Sequence, residues 1–281
     1  MSTPPRFQRR PAAFHGERLW IAPEWSARLA DAGIGPGTDW ATVEGDQLVS
    51  QSPATRCFRT TLADGEVVYF KRYVYPRKFW LEFWMRAGKA AVEAWAYDRL
   101  QGLGVPSLEV IAFGERRIFG MLIATFVVTR GIADTIDLSE FALEHWYPLP
   151  RVERRAIARE LSDGLAKQLR TAHAGGFFHH DIKWRNVLVR QREGHWETIW
   201  IDAPRASRMR FREHRGVVVD LSCLGRMAVQ LLCPYECMRF VCRYLGRERT
   251  PGAAKNLFRE VQAHLDRRPP KPLVLPPRPD D

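Results

Sequence analysis

Two carboxylates, an amide and a cation set the chemistry open to this sequence. In FHHDIKWRNVLV (residues 178–189) the carboxylate of Asp181 stands two residues before Lys183 and five before the amide of Asn186. A short apolar strand follows at once, and a second apolar run, IWIDAPRA (199–206), carries another carboxylate, Asp202. A carboxylate able to orient a hydroxyl, then an amide and a carboxylate able to ligate a divalent cation, is what phosphoryl transfer needs. That reaction is catalysed mainly by positioning and charge neutralisation. Lys183 could neutralise the transferring group. Asn186 and Asp202 offer the oxygen donors that Mg²⁺ prefers.

Two more charged residues complete the set. Residues 56–62 and 67–73 alternate as strands around Ala-Asp-Gly-Glu, a hairpin signal, and the second strand carries Lys71. Residues 89–103 repeat apolar positions at helical spacing, with Glu93 near the start. Lys71 could contact the α/β-phosphates of ATP, and Glu93 could hold it by an ion pair. Taken singly, Lys71 and Glu93 are ordinary solvated charges, and Asp202 before Ala-Pro is good turn chemistry. The order and spacing of the whole set is what carries the reading. His179, His180 and Asp181 suggest a metal cluster, but neighbours on an extended backbone point to opposite faces, so His179 is read as holding the loop by hydrogen bonds.

The elements that must position these groups divide into a β-rich first part and a helical second part, an α+β chain. Residues 1–45 read as an N-terminal extension with a short helix near 23–32 and a mobile first dozen residues; 46–130 as a β-rich lobe; 131–266 as a helical lobe; and 267–281 as a proline-rich tail with little structure. In the first lobe, strands at 105–113 and 118–128 are joined by Gly-Glu-Arg-Arg at 114–117. In the second, a 24-residue helix at 151–174 ends at Gly175-Gly176, and helices follow at 219–232, 235–245 and 253–265. There are no internal repeats.

With 281 residues and 46% hydrophobic composition, the chain can bury a substantial core. Its apolar runs are of strand length, too short to span a bilayer, and its basic, proline-rich start lacks a secretory apolar stretch, so a cytoplasmic location is expected. Five cysteines, an odd number, argue against a disulfide framework. Cys233, Cys237 and Cys242 lack a second ligand pair at zinc spacing and are expected to be buried helix thiols. A net charge of +11 predicts an anionic partner without naming it.

The stretches RCFRTTLADGEVVYFKRY, EAWAYDRLQGLGVPSLEVIAFGE, ATFVVTRGIADTIDL, LRTAHAGGFFHHDIKWRNVLV, IWIDAPRASRM and VVDLSCLGR span about residues 56–226. Together they resemble the lipopolysaccharide kinase family of Gram-negative bacteria, whose members phosphorylate heptose or Kdo of the inner core. The resemblance implies a bilobal protein-kinase-like fold, with ATP and Mg²⁺ as co-substrates. It implies Asp181 as the catalytic aspartate, Lys71 and Glu93 as the nucleotide-side pair, Asp202 as the metal carboxylate, and Asp220 as a structural support of the catalytic loop, while Lys183 and Asn186 look like the eukaryotic protein-kinase pattern. Two departures stand out. SQSPATRCFRT, ahead of Lys71, holds no glycine where protein kinases carry G-x-G-x-x-G, and Asp202 is followed by Ala-Pro-Arg rather than Phe-Gly.

The resemblance further implies a lipid-linked core saccharide as partner, and so peripheral attachment to the inner membrane. The segment YFKRYVYPRKFWLEFWMRAGK (69–89) interleaves aromatic and basic residues. It suits an anionic membrane surface, or else its aromatics simply pack the first lobe. Nucleic-acid binding would rest on charge alone and is not expected. The alternatives to a core-sugar kinase are a phosphotransferase for another small molecule or a protein, and a non-catalytic nucleotide-binding scaffold.

Overall fold

The computed structural model describes residues 7–209, 211–246, 250 and 252–275; the end of the proline-rich tail lies outside them. The chain divides into two compact units. Unit 1 comprises Met1–Gly102 and Leu108–Ala133; unit 2 comprises Leu103–Ser107 and Asp134–Asp281.

Unit 1 is a six-stranded antiparallel sheet with one helical layer on each face. In chain order it contains β1 (Gly16–Ile21), a 3₁₀ turn (Pro23–Trp25) leading into α1 (Ser26–Asp31), β2 (Gln47–Ser52), β3 (Thr55–Thr61), β4 (Val67–Val74), α2 (Lys89–Gly102), β5 (Val110–Ile118) and β6 (Met121–Arg130). The strand order is β1-β5-β6-β4-β3-β2. Side chains alternate along each strand, so Phe70, Phe126 and Val128 face one layer while Tyr73 and Val127 face the other.

The first layer is built by residues set apart above as an extension. Ala22, Trp25, Leu29, Ile34 and Trp40 are buried against Phe58, Phe70 and Phe126, and the Trp40 and Phe126 rings meet at 4.9 Å. Phe7, inside the stretch expected to be mobile, is buried on the other face, and its ring meets Trp20 at 4.9 Å. The physical reason is that a sheet with two apolar faces must cover both. Burying one aromatic of this kind stabilises by roughly 1.5–3 kcal/mol.

The β5–β6 hairpin turns later than expected. Gly-Glu-Arg-Arg stays in the strand, and the turn is Phe119-Gly120, both at positive φ (46° and 81°), as a two-residue hairpin turn requires. Gly114 belongs in the strand because the Phe126 ring lies over it: a Cβ there would come within 2.2 Å of the ring. Glu115 and Arg117 are fully buried and paired with each other at 2.6 Å.

Unit 2 contains β7 (Ile136–Asp137), α3 (Leu138–Glu140) continuing as a π-helical turn (Phe141–Trp146), α4 (Arg151–Ala174), β8 (Phe177–Phe178), a 3₁₀ turn (Trp184–Asn186), β9 (Val187–Arg192), β10 (His195–Trp200), β11 (Ser207–Arg208), α5 (Glu213–Leu231), α6 (Pro234–Leu245) and α7 (Ala253–Arg267). Strands β10-β9-β7 form a small sheet, and β8 pairs with β11. Leu161, Leu165, Leu169 and Ala172 form the buried stripe of α4. Leu103–Ser107 joins this unit because Pro106 accepts the Trp200 amide at 3.0 Å and Leu103 packs over Gly175.

Helix α5 starts at Glu213, earlier than its apolar stripe suggests, because Gly216 in its first turn packs on the Phe178 ring, where a Cβ would come within 2.4 Å. The described part of the tail after Arg267 forms no helix or strand, though it is tied to α5: Arg226 donates to the Arg268 and Pro269 carbonyls, and Leu273 N–H donates to Gln230. The free cysteines are less buried than expected. Cys57 is on a strand, Cys233 is exposed at the start of α6, and the others are half-buried. Among the described residues no helix is long and apolar enough to cross a membrane.

Candidate active site

The candidate site residues fall in both units. In unit 1, β4 presents Lys71 and Tyr73 on one face of the sheet. The neighbouring Arg72 points to the other, where it donates to the Ala41 and Val43 carbonyls. Opposite Lys71 lies α2, buried from Ala90 to Ala94, and Glu93 is the charged residue within that buried run. Its Oε1 lies 3.1 Å from Lys71 Nζ and accepts the Tyr97 hydroxyl at 2.8 Å, while Oε2 accepts the Tyr73 hydroxyl at 2.6 Å. A buried carboxylate is tolerated only when paired and hydrogen-bonded, and Glu93 has three donors. The structure thus makes the Lys71–Glu93 ion pair that the sequence suggested. The two tyrosines were not singled out, although Tyr97 stands one helical turn beyond Glu93 and Tyr73 two strand residues beyond Lys71.

The glycine-free stretch ahead of Lys71 lies in a hairpin, β2–β3, whose register shifts between Leu48 and Ser50 and which closes with Ser52 opposite Thr55. Every residue of β2 is exposed.

In unit 2, α4 stops at Gly175-Gly176, and Gly176 takes φ +71° to turn the chain into β8. The loop that follows is held from α5. Asp220, fully buried, accepts the amides of His179 (2.9 Å) and His180 (2.6 Å) and lies 3.2 Å from His173 Nε2. His173 Nδ1 lies 2.9 Å from the Tyr244 hydroxyl. With its proton on Nε2, His173 donates to Asp220 and accepts from Tyr244. Burial, helped by the Asp220 charge, pushes the Tyr244 phenol well above its ordinary pKa. His173 and Tyr244 lie far apart in sequence and show no pattern that would have found them.

The two loop histidines diverge as expected, but not on the extended backbone on which the expectation rests, since His180 lies in the left-handed region. His179 Nε2 meets the Ile201 carbonyl at 3.1 Å, and His180 Nε2 meets Ser207 Oγ at 2.6 Å. His180 and Asp202 both sit at positive φ (62° and 55°), a conformation that costs energy for non-glycine residues and tends to persist at functional sites.

Hydrogen bonds tie the remaining residues together. Asn186 Nδ2 donates to the Asp181 carbonyl at 2.8 Å, and Ile201 N–H, next to Asp202, donates to the Asn186 carbonyl at 3.0 Å. Lys183 Nζ lies 2.7 Å from Asp181 Oδ1. Trp184 anchors the 3₁₀ turn by donating to the Leu224 carbonyl at 2.9 Å. Asp181, Lys183, Asn186 and the strand end bearing Asp202 are therefore brought together. Cys223, on α5, lies beneath them with Sγ 3.9 Å from the His180 carbonyl. Burial and the nearby Asp220 and Asp181 carboxylates push its thiol up to about 12.

Because Asn186 spends its Nδ2 on the loop, its amide oxygen is the atom left to act as a donor to a cation. Among the described residues no three His, Cys, Asp or Glu side chains cluster as a metal site. Asn186 with Asp202 is a two-residue oxygen set, which suits Mg²⁺ bound largely through the phosphates of its nucleotide. A separate cavity in unit 2, lined by apolar side chains including Phe141, Trp146, Trp184, Phe258 and Leu265, was not foreseen.

Comparison with known proteins places this arrangement. The lipopolysaccharide core heptose(I) kinase WaaP of Escherichia coli (strain K12) is 33% identical over 89 residues, 31% of this chain and 31% of that protein. A second Escherichia coli WaaP is 32% identical over the same extent. The chain thus aligns with under a third of the length of these curated relatives. Among solved structures, WaaP in complex with acyl carrier protein superposes with a TM-score of 0.66 at 22% identity, covering 89% of this chain and 97% of that one. This likeness establishes the protein-kinase-like fold. The sequence model of the Lipopolysaccharide kinase (Kdo/WaaP) family matches residues 77–244, a stretch that runs through Glu93, the Asp181 loop, Asp202 and Asp220, and the chain therefore belongs to that family.

Proposed function

We propose that this protein transfers the γ-phosphoryl group of ATP to a sugar hydroxyl, on heptose or Kdo, of the lipopolysaccharide inner core. The observation that carries the reading is the hydrogen-bond chain from Asp181 through Asn186 to Ile201, which ties the loop bearing Asp181 and Asn186 to the strand end that precedes Asp202. Asp181 is assigned to orient the acceptor hydroxyl and receive its proton. Lys183, paired with it at 2.7 Å, is assigned to steady the transferring charge. Lys71, held by Glu93, is assigned to the nucleotide phosphates. Asn186 and Asp202 would hold Mg²⁺, which when bound neutralises phosphate charge. Asp220 does no chemistry in this scheme; it fixes the loop backbone so that Asp181 need not reorganise during the reaction.

The experiment is direct. Purified protein, ATP and Mg²⁺ incubated with dephosphorylated core lipid should give phosphate transfer, and Asp181→Ala should lower the rate by about 10³-fold or more. Unchanged turnover in Asp181→Ala would refute the assignment of the base, while faster transfer to a soluble sugar or a peptide would move the acceptor to another class. The solved relative bound to acyl carrier protein, together with the apolar cavity of unit 2, supports an acyl-bearing carrier protein as a second partner.

A further inference from the structure

The aromatic and basic segment between β4 and α2 has an inward and an outward side. Trp80 and Phe83 pack inward: the Trp80 indole donates to the Tyr75 carbonyl at 2.9 Å, and the Phe83 ring meets Tyr75 at 4.7 Å. Leu81, Trp84 and Met85 point outward and are 88%, 54% and 45% exposed. They are joined by residues distant in sequence. At the β5–β6 turn Phe119 is 62% exposed; the Trp84 indole donates to its carbonyl at 3.2 Å, and Met85 N–H donates to Gly120. Phe14, 54% exposed, meets Phe119 at 6.3 Å, and its carbonyl accepts the Gly120 amide at 2.7 Å.

Three separate segments thus present one exposed apolar surface, and a buried charge holds all three. Arg117 donates to Gly120 (2.8 Å), Phe83 (3.3 Å) and Arg86 (2.5 Å) carbonyls and to Glu115 (2.6 Å), which in turn accepts the Ala12 amide at 2.8 Å. A fold that desolvates a charge to hold large exposed hydrophobics in place is keeping a surface ready for a partner. Arg77, Lys78 and Arg86 are exposed on the same segment, with Glu82 as its one acid.

We infer that this surface, Phe14, Leu81, Trp84, Met85 and Phe119 with its basic fringe, docks unit 1 onto an anionic lipid bilayer. The apolar tips enter the headgroup boundary, where tryptophan is favoured, and the Arg and Lys side chains meet lipid phosphates. The side chains project from a hairpin turn and an outward loop, which suits a yielding lipid surface. The basic fringe gives the preference for negative headgroups. The inference does not depend on which sugar, if any, is phosphorylated.

Sedimentation of the full chain with vesicles of phosphatidylethanolamine, with and without phosphatidylglycerol, tests it. Binding is expected only with phosphatidylglycerol and should weaken as salt is raised. The double variant Leu81→Ser/Phe119→Ser should bind at least about tenfold more weakly, and Arg77→Glu/Lys78→Glu should lose a similar factor. Thermal melting confirms that these variants stay folded, and transfer to a soluble core saccharide should be unchanged. Equal binding to neutral vesicles, or wild-type binding by the Leu81→Ser/Phe119→Ser variant, would overturn the inference. So would variants that keep vesicle binding but lose acyl carrier protein, since the surface would then belong to a protein.

Discussion

Among the described residues of unit 1, two ion pairs with a buried carboxylate have similar chemistry and opposite character. Arg117–Glu115 is closed on every side, with both side chains at 0% exposure, and the arginine is spent on backbone carbonyls. Lys71–Glu93 keeps the carboxylate buried at 3% but leaves the lysine 15% exposed. The difference lies in which partner is over-supplied. Glu93 has Tyr73 and Tyr97 besides the lysine, so it stays satisfied if Lys71 turns to another anion. Glu115 leaves one buried oxygen without a hydrogen-bond partner, so Arg117 is not available to anything else. A structural pair consumes its cation; a pair suited to ligand binding holds its anion and lends the cation.

Removing the cation from each pair should give opposite phenotypes, and the largest effect is expected at the closed one. Arg117→Ala leaves Glu115 buried without its cation and takes one donor from each of the Phe83, Arg86 and Gly120 carbonyls, a class of change that costs about 3–5 kcal/mol. At roughly 2–4 °C per kcal/mol for a domain of this size, melting should fall by about 10 °C. A melting temperature within a degree or two of wild type would show that the arginine is not structural.

Lys71→Met should do the reverse. The two tyrosine hydroxyls still donate to Glu93, so the stability cost should stay below about 2 kcal/mol. Loss of a cation on the nucleotide phosphates should lower turnover by about 10²–10³-fold. Steady-state kinetics beside a melting curve separates the two cases. If Lys71→Met melts as low as Arg117→Ala, the distinction between lent and consumed cations fails.

The same contrast explains what could be read in advance. The pairing of Lys71 with Glu93 was legible because strand and helix patterns place both residues, and the proposed chemistry asks for a cation held by a carboxylate. The Asp181 loop was legible for the same reason, and the helix at 151–174 because its apolar stripe is unbroken. Arg117 and Glu115 were hidden by their charge: Gly-Glu-Arg-Arg has loop composition, and only tertiary pairing turns it into buried strand. The first 45 residues were set apart because proline and charge mask the tryptophans and leucine that cover a sheet face. His173 and Tyr244, which steady Asp220, come from α4 and α6, and nothing in linear spacing announces a contact made by helix packing.

The smallest expected effect appears at alkaline pH, beside the closed pair. Tyr75 packs against Phe83, accepts the Lys89 amide at 2.9 Å and is pushed by burial from 10.0 up to about 12. The folded state holds this proton more tightly than the unfolded chain does. Its contribution is therefore complete below about pH 10 and is lost as pH rises toward 12, because the unfolded state ionises first and is favoured. For a single group the slope approaches about 1.4 kcal/mol per pH unit within that window and vanishes at neutrality. Cys223 acts in the same direction from 9.0 to about 12, so wild-type melting should decline through both windows. Tyr75→Phe should flatten the decline between pH 10 and 12 while leaving the Cys223 share in place. It should also melt slightly lower at pH 7, since the Lys89 amide loses its acceptor. A Tyr75→Phe curve parallel to wild type across pH 10–12 would mean that the hydroxyl ionises freely, and that the packing around the closed pair admits water.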